Sequence, residues 1–418
     1  MKKVLVSGMI GNGLEWYDYA LYGQMAWLLS RLFFPEGDAT VALLATYGVF
    51  AAGFIVRPLG AILFGWIGDK YGRKRAMVIA VLMMAIPTGC IGLLPTYAEI
   101  GILAPILLTI IRLLQGLSLG GEFAGSMVYI VEHAPQNKRG VAGSASLISL
   151  NLGFLLGLLV VQGFMQVLGT EAFEAWGWRI PFLTGIAIGL IGFYIRSHCT
   201  ESPVYEQSRA TGQLAKAPLR RAFREHPCEI LQAFVIYMAV TMPFYLAAVY
   251  FISFTHKQLG LPMEQAITFN IINIFLMGLA YYPAAWLSDR YGRKRVMMTA
   301  AMAVLLLIVP IFTLFTPGGD PLTIGFGQAL FAFVLGFYLG PVAALLVEMF
   351  PTPVRYTGMA ISYNLTAALF GGTAPFVCEW LIATTGSYMP VAYYVMLCNA
   401  AALIALWRYR DRYREPLY

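Results

Sequence analysis

Charge is what this 418-residue chain most lacks: 12% of its residues are charged, against 59% hydrophobic and a mean hydropathy of +0.71. A soluble globular chain carries about 25% charged residues. So few charges cannot clothe a water-facing surface, and most of the exterior must face lipid. A soluble enzyme or soluble binding module is thereby excluded. Cysteine is also scarce: Cys90, Cys199, Cys228, Cys378 and Cys398 are scattered, with no CxxC and no metal-ligand spacing. They read as inert thiols, not as a disulfide framework or metal site. The four histidines are equally dispersed. No Walker loop appears, so ATP is not the energy source, and there is no HExxH or GxSxG, so no catalytic residue and no cofactor are expected. The first apolar segment carries Glu15 and Asp18 and lacks a small-residue cleavage site, which argues against a cleavable signal peptide.

What the chain has is apolar runs. They centre near Leu21, Ile55, Leu82, Leu117, Leu152 and Ile188, then near Met242, Phe275, Leu306, Leu335, Leu369 and Ala400. A spanning helix needs about 20 mostly apolar residues; twelve fit this length, and fourteen would leave almost nothing for loops. The one long polar interruption, Ser197 to Pro227, holds Glu201, Glu206, Arg209, Arg220, Arg221, Arg224 and Glu225 and separates six runs from six. The expected fold is therefore an all-α integral membrane protein of 12 transmembrane helices in two six-helix bundles. Residues 1–196 form the first bundle, 197–227 a cytoplasmic linker, 228–410 the second bundle and 411–418 a tail.

The net charge of +7 is topology and not a nucleic-acid footprint. Of the 28 cations, all but Arg31, Arg57, Arg112, Arg179 and Lys257 fall in segments on one side of the predicted spans, Lys2, Lys3 and Lys216 among them. By the positive-inside rule that side is cytoplasmic and holds both termini. No nucleic-acid partner is expected; the lipid bilayer is the expected partner, and the chain is expected to act as a monomer.

The two halves repeat. Gly65-Trp-Ile-Gly-Asp69-Lys-Tyr-Gly72-Arg73-Lys-Arg75 recurs as Ala285-Trp-Leu-Ser-Asp289-Arg-Tyr-Gly292-Arg293-Lys-Arg295, and Glu132-His-Ala-Pro135-Gln-Asn-Lys-Arg139 recurs as Glu348-Met-Phe-Pro351-Thr-Pro-Val-Arg355. Two motifs repeating half a chain apart mean an internal duplication, and parallel six-helix repeats with a site between them are a transporter architecture. An aspartate at a helix C-terminus is unfavourable unless a cation or a facing helix N-terminus meets it. Asp69, Arg73, Glu132 and Arg139, with Asp289, Arg293, Glu348 and Arg355, therefore read as a cytoplasmic latch that gates the chain, against the alternative that these loops only set topology.

These paired loops resemble the major facilitator superfamily. Finer motifs resemble its bacterial metabolite:proton symporter branch: Gly11-Asn-Gly-Leu-Glu15-Trp-Tyr-Asp18-Tyr, Arg57-Pro-Leu-Gly, Arg112-Leu-Leu-Gln115-Gly-Leu-Ser-Leu-Gly120-Gly121-Glu122, Trp176-Gly-Trp-Arg179-Ile-Pro-Phe and Glu201-Ser-Pro. Thr241-Met-Pro243-Phe-Tyr245-Leu is similar to the branch's proline/betaine carriers. The resemblance covers nearly the whole chain. It implies proton-driven import of a small organic metabolite by alternating access, a proline- or betaine-like zwitterion first. A mono-, di- or tricarboxylate such as a keto acid, citrate or shikimate-like solute is the alternative, then a proton-antiporting exporter, and last a transport-dead sensor. The chain ends at Tyr418 without the C-terminal coiled coil of the proline/betaine kind, so osmotic regulation of that sort is not expected.

Ionisable groups within apolar runs are costly and are functional suspects by default. Glu15 and Asp18, three residues apart, share one helix face; Arg112 and Glu122 lie in the fourth run, and Asp18 and Glu122 are expected beside Arg112. A carboxylate in such a place has its proton affinity raised by burial and lowered by a nearby arginine, and the resemblance implies proton coupling for the group Glu15, Asp18, Arg112 and Glu122. The alternative is a static ion-pair network. Arg57 reads as a substrate contact or as a packing element paired with Asp18 or Glu122, and Arg179 as an interfacial anchor. The second half offers aromatics and amides, whose rings suit an ammonium. The expected substrate contacts are Arg57, Arg112, Gln115, Tyr237, Thr241, Tyr245, Asn273 and Tyr338, with interfacial or lipid-facing packing as the alternative for any one tyrosine. Gly116, Gly120, Gly121 and Gly125 read as close-packing positions.

Overall fold

The computed structural model describes residues 2–34, 39–211 and 218–417, and every element among them is helical. Lys216 with the rest of 212–217, Tyr418 and the side chains of Lys2 and Lys3 lie outside what is described. The first half runs α1 (Lys2–Gln24), α2 (Ala26–Phe33), α3 (Ala39–Tyr71), α4 (Arg73–Leu93), α5 (Leu103–Glu132), α6 (Arg139–Leu168) and α7 (Arg179–Ser197). Two short helices follow, α8 (Pro203–Ala210) and α9 (Pro218–Glu225). The second half runs α10 (Pro227–Gln258), α11 (Met263–Tyr291), α12 (Arg293–Thr313), α13 (Pro321–Met349), α14 (Arg355–Thr385) and α15 (Met389–Arg408). Eleven helices among the described residues are long and apolar enough to cross a bilayer. The first helix, α1, has 23 residues and the required length, but Glu15 and Asp18 interrupt its apolar run. The chain is a multi-pass membrane protein of the twelve-helix kind.

The helices gather into two compact units, one of residues 1–133 and 149–219, the other of 134–148 and 220–418. The first turns of α6 thus belong with the second unit and the rest of that helix with the first. In both, polarity is inverted relative to a soluble protein: Ile55, Leu306, Leu322, Phe376 and Leu397 are exposed, while Glu15, Asp18, Arg57, Arg112, Gln115, Glu122 and Arg196 are buried. Lipid is the solvent such an exterior requires.

Helix–helix approach in the first unit depends on missing side chains. At Gly60 a Cβ would sit 2.0 Å from the Leu117 carbonyl oxygen, at Gly116 2.2 Å from that of Gly53, and at Gly120 2.4 Å from that of Arg57. Backbone cannot move aside as a side-chain tip can, so α3 and α5 touch only because both are glycine-lined. In the second unit α10 is π-helical over Leu246–Tyr250 and Phe254–Gln258. Asn270 of α11 donates from Nδ2 to the carbonyls of Ala247 and Ala248, at 2.9 and 3.2 Å, so carbonyls of the π-helical turn gain a partner.

Gly120→Leu should therefore overpack the α3–α5 seam, with a cost of about 1–3 kcal/mol or more. It would lower the thermal unfolding temperature in detergent by several degrees and reduce the monodisperse fraction in size exclusion. Gly23→Ala, where a Cβ would meet nothing within 4 Å, is the control expected to match the parent; equal stability of both variants would refute the seam.

Candidate functional site

Apart from the repeated loops, the buried acids Glu15, Asp18 and Glu122 and the buried arginines Arg57, Arg112 and Arg196 of the first unit are sorted by the structure into pairs. Glu15 Oε1 accepts from Arg57 Nη2 at 2.9 Å. Asp18 Oδ2 accepts from Arg112 Nη1 at 2.6 Å, and its Oδ1 from Gln115 Nε2 at 2.9 Å. Gln115 also donates to Thr88 Oγ1 at 2.9 Å. Glu122 pairs not with Arg112 but with Arg196 of α7, whose Nη1 and Nη2 reach its two oxygens at 2.7 and 2.5 Å.

That corrects the expectation that Glu122 lies beside Arg112. The two are ten residues apart on α5, a rise of about 15 Å. It also moves Arg196, counted among the loop cations in the sequence, into the interior at 1% exposure. Arg57 likewise pairs with Glu15, neither with Asp18 nor with Glu122.

The pairs differ in how firmly they are held. Arg196 is bonded through each of its nitrogens, since Nε donates to the Ser7 carbonyl at 3.0 Å and Nη1 also to that of Met77 at 2.8 Å. Gly11 permits this: a Cβ there would lie 1.9 Å from Glu122 Oε1 and 2.2 Å from Arg196 Nη2. Arg112, by contrast, makes one contact to Asp18, and its Nε and Nη2 have no hydrogen-bond partner among the described residues. Its guanidinium lies 3.8 Å over the Tyr22 ring, and that of Arg57 lies 4.9 Å over Phe54. Arg112, held by a ring face and a single carboxylate oxygen, can change partners more readily than Arg196, which is bonded at every nitrogen. Arg179 caps the end of α4, donating to the Leu94 carbonyl at 2.6 Å.

The repeated loops carry matching networks. In the first unit Arg73 reaches Asp69 at 2.8 Å and Glu132 at 3.4 Å. In the second Arg293 reaches Asp289 at 2.6 Å and Glu348 at 3.1 Å. Gly72 and Gly292 turn the chain at φ +111° and +100°, which glycine adopts without strain. The following helix N-terminus is then capped from a distance, Glu201 accepting from Arg73 N at 3.0 Å and Asp411 from Lys294 N at 2.9 Å. Asp289 also accepts from Gly140 N and Val141 N, at 2.8 and 2.9 Å, so it meets the N-terminus of α6. Arg139 lies 3.7 Å from Glu348. Arg355 holds the carbonyls of Val347 and Phe350 and the Thr352 hydroxyl. Nothing in the sequence marked Asp411 as a cap, because the link spans 117 residues.

Most of the polar candidates in the second unit are occupied internally. Tyr338 Oη donates to the Ile236 carbonyl at 2.8 Å, Thr241 Oγ1 to that of Tyr237 at 3.0 Å, and Asn273 Nδ2 to Gln328 Oε1 at 3.2 Å. Tyr237 meets Tyr363 edge to face at 5.1 Å. Tyr245 packs against Gly371, where a Cβ would come within 2.8 Å of its ring.

Twelve helices from a duplicated half, with paired charges inside and capped loops at one end, define a multi-pass secondary transporter. The chain belongs to the major facilitator superfamily. The family profile described as sugar (and other) transporter matches residues 4–231, and that of the major facilitator superfamily matches 233–417. The chain is 32% identical to the proline/betaine transporter of Salmonella typhimurium (strain LT2), and 34% identical to the glycine betaine/proline/ectoine/pipecolic acid transporter OusA of Dickeya dadantii (strain 3937). Each alignment spans all of this chain and 85% of that protein. The solved proton:xylose symporter XylE of Escherichia coli, bound to 6-bromo-6-deoxy-D-glucose, superposes with a TM-score of 0.85 at 18% identity, over 99% of this chain and 97% of that one. At that identity the likeness speaks to the fold alone.

Arg196→Met should leave Glu122 buried without its partner and destabilise the protein by about 3–5 kcal/mol, the range for breaking a buried pair from one side. Arg196→Met combined with Glu122→Leu should recover most of that loss in thermal unfolding. A single variant as stable as the parent would show that the pair is not a clamp.

Proposed function

We propose that the chain is a proton symporter that imports a proline- or betaine-like zwitterion by alternating access. The observation that carries the substrate class is charge balance. Glu15 with Arg57, Asp18 with Arg112 and Glu122 with Arg196 neutralise one another pairwise, leaving no surplus of positive charge for a multiply charged anion. A solute with no net charge can exchange partners within such a group without stranding a buried charge. The names of the 32–34% identical relatives support the same class. Asp18 with Arg112, the loosely held pair, and Glu15 with Arg57 are the coupling pairs; Glu122 with Arg196 is a clamp that keeps α1, α5 and α7 in register. Gln115 positions Asp18. Arg57 and Arg112 meet the solute carboxylate only when it displaces an acid, and Tyr237 and Tyr245 offer ring faces to the ammonium. Thr241, Asn273 and Tyr338 hold the helices that carry those rings.

The Asp69 and Asp289 networks are the gating latch. Both termini lie on the cytoplasmic side of a bacterial inner membrane, as the cation bias requires. Residues 1–196 and 228–410 are the two repeats, 197–227 joins them and 411–418 is the tail. The proton gradient is the only energy source, no cofactor or nucleic acid takes part, and the monomer is the working unit.

In proteoliposomes Asp18→Asn should abolish accumulation of labelled proline or glycine betaine driven by a proton gradient, while counterflow, which needs no net proton movement, survives at least in part. Parental accumulation in the variant would remove Asp18 from coupling. Counterflow with citrate or a keto acid and none with proline or betaine would instead establish the carboxylate reading.

Asp289→Asn should weaken the capping of α6 by about 1 kcal/mol, a several-fold shift for a balanced two-state equilibrium. Maleimide labelling of a cysteine placed at Ser144 should rise accordingly, and unchanged labelling would reduce these loops to topology signals.

A further inference from the structure

Glu379, an acid within a spanning helix of the second unit, meets no cation among the described residues. Glu379 lies on α14, six residues before its end at Thr385, a rise of about 9 Å. No ion pair forms at it among the described residues, although Lys257 stands at the end of α10 nearby in sequence to its partner Gln258. Its Oε2 accepts from Tyr250 Oη at 2.6 Å and its Oε1, more weakly, from Gln258 Nε2 at 3.4 Å. Tyr250 and Gln258 each sit in a π-helical turn of α10, so the local widening of that helix presents both donors to one carboxylate. The acid itself is half-buried, whereas Tyr250 is buried.

The surroundings are aromatic. The Tyr250 ring lies 6.0 Å from that of Phe254, which meets Tyr388 edge to face at 5.1 Å, and Tyr388 Oη donates to the Gln258 carbonyl at 3.0 Å. Two neutral donors hold the carboxylate in place without neutralising it, and a bare carboxylate within a membrane helix is costly unless water or a cation reaches it. Negative charge beside ring faces is the combination that attracts a quaternary or secondary ammonium, which offers charge and apolar surface together.

We propose that Glu379, backed by Tyr250, Phe254 and Tyr388, is a recognition site for the ammonium end of the solute, at the end of the second unit opposite the Asp289 loop. The site rests on the substrate class proposed above and adds to it a negative charge for the ammonium, which the ring faces of Tyr237 and Tyr245 do not supply. The alternative is an acid kept only to tie α14 to α10.

The two roles separate in Glu379→Gln, which keeps an oxygen to accept from Tyr250 but removes the charge. The expected result in proteoliposomes is a rise of about tenfold in KM for glycine betaine, with maximal rate and unfolding temperature near the parent's; Glu379→Asp, which keeps the charge, should lie closer to the parent. An unchanged KM in Glu379→Gln overturns the proposal, as does a fall in unfolding temperature with KM intact. Tetramethylammonium, a cation with no carboxylate, is the independent probe: it should raise the unfolding temperature of the parent and not that of Glu379→Gln. If the parent transports neither proline nor betaine, the functional reading fails by itself, and the site is then decided by tetramethylammonium alone. No stabilisation of the parent by that cation overturns the site, including where Glu379→Gln does not fold.

Discussion

A carboxylate inside a lipid-facing helix bundle must be met by a positive charge or by several donors, and that requirement organises the first unit. Glu15, Asp18 and Glu122 each take one arginine, drawn from three different helices, α3, α5 and α7. Because α1 carries two of the acids, and its Gly11 makes room for the third pair, this helix cannot shift along its axis without separating charges whose isolation costs several kcal/mol. The glycines of α3 and α5 then serve the same end, since only close backbone approach lets Arg57 and Arg112 reach α1 while their stems stay buried. Packing and electrostatics are thus one constraint here.

The duplication reuses a second device at the loop ends. An aspartate one helix turn before an arginine, a glycine of positive φ between them and a distant carboxylate on the next helix N-terminus occur in both halves, with Glu201 and Asp411 as the caps. The copies have diverged where it matters for movement. Glu132 is bonded by the Ser202 hydroxyl, a neutral partner from a neighbouring short segment, whereas Glu348 lies near Arg139, a second cation. Asp289 rests on two backbone amides at the start of α6. Amide and hydroxyl contacts break at lower cost than buried ion pairs, so the two copies of the network are unequally held.

Hydropathy, cation bias and the repeated loops made the helix number and the family legible in the sequence, because each is a property of composition along the chain. Pairing is a property of depth and facing, and there the sequence misled. Arg196 sits at the last turn of α7 and reads as a loop cation, yet it turns inward to Ser7, Met77 and Glu122. Arg112 and Glu122 seem neighbours within one motif, but helical rise separates them by about 15 Å. Glu379 was passed over altogether: a single acid in an apolar run has no periodicity to announce it, and the π-helical turns that bring Tyr250 and Gln258 to it shift the register that a 3.6-residue repeat would assume. At Asp289 the sequence calls for a cation or a facing helix N-terminus but not for a particular helix, since the donors are the backbone amides of Gly140 and Val141 and leave no residue-type signature.

The two units thereby divide the chemistry of a charged solute unequally. The first closes its charges on themselves, so any anion entering there has to compete with a carboxylate already in place, and an acid that loses its arginine is left to take up a proton. In the function proposed above, this exchange of partners at Arg112 is the route from solute binding to coupling, and it needs no dedicated relay. The second unit carries its polarity mainly in amides, hydroxyls and ring faces, most of which hold one another, as Asn273 holds Gln328 and Tyr338 holds the Ile236 carbonyl. Recognition there must come from faces and shape more than from hydrogen bonds, which suits a solute whose cationic end has few or no protons to donate. In the function proposed above, the asymmetry between an exchangeable ion-pair group and a mostly satisfied aromatic one is what lets a single neutral solute move a charge.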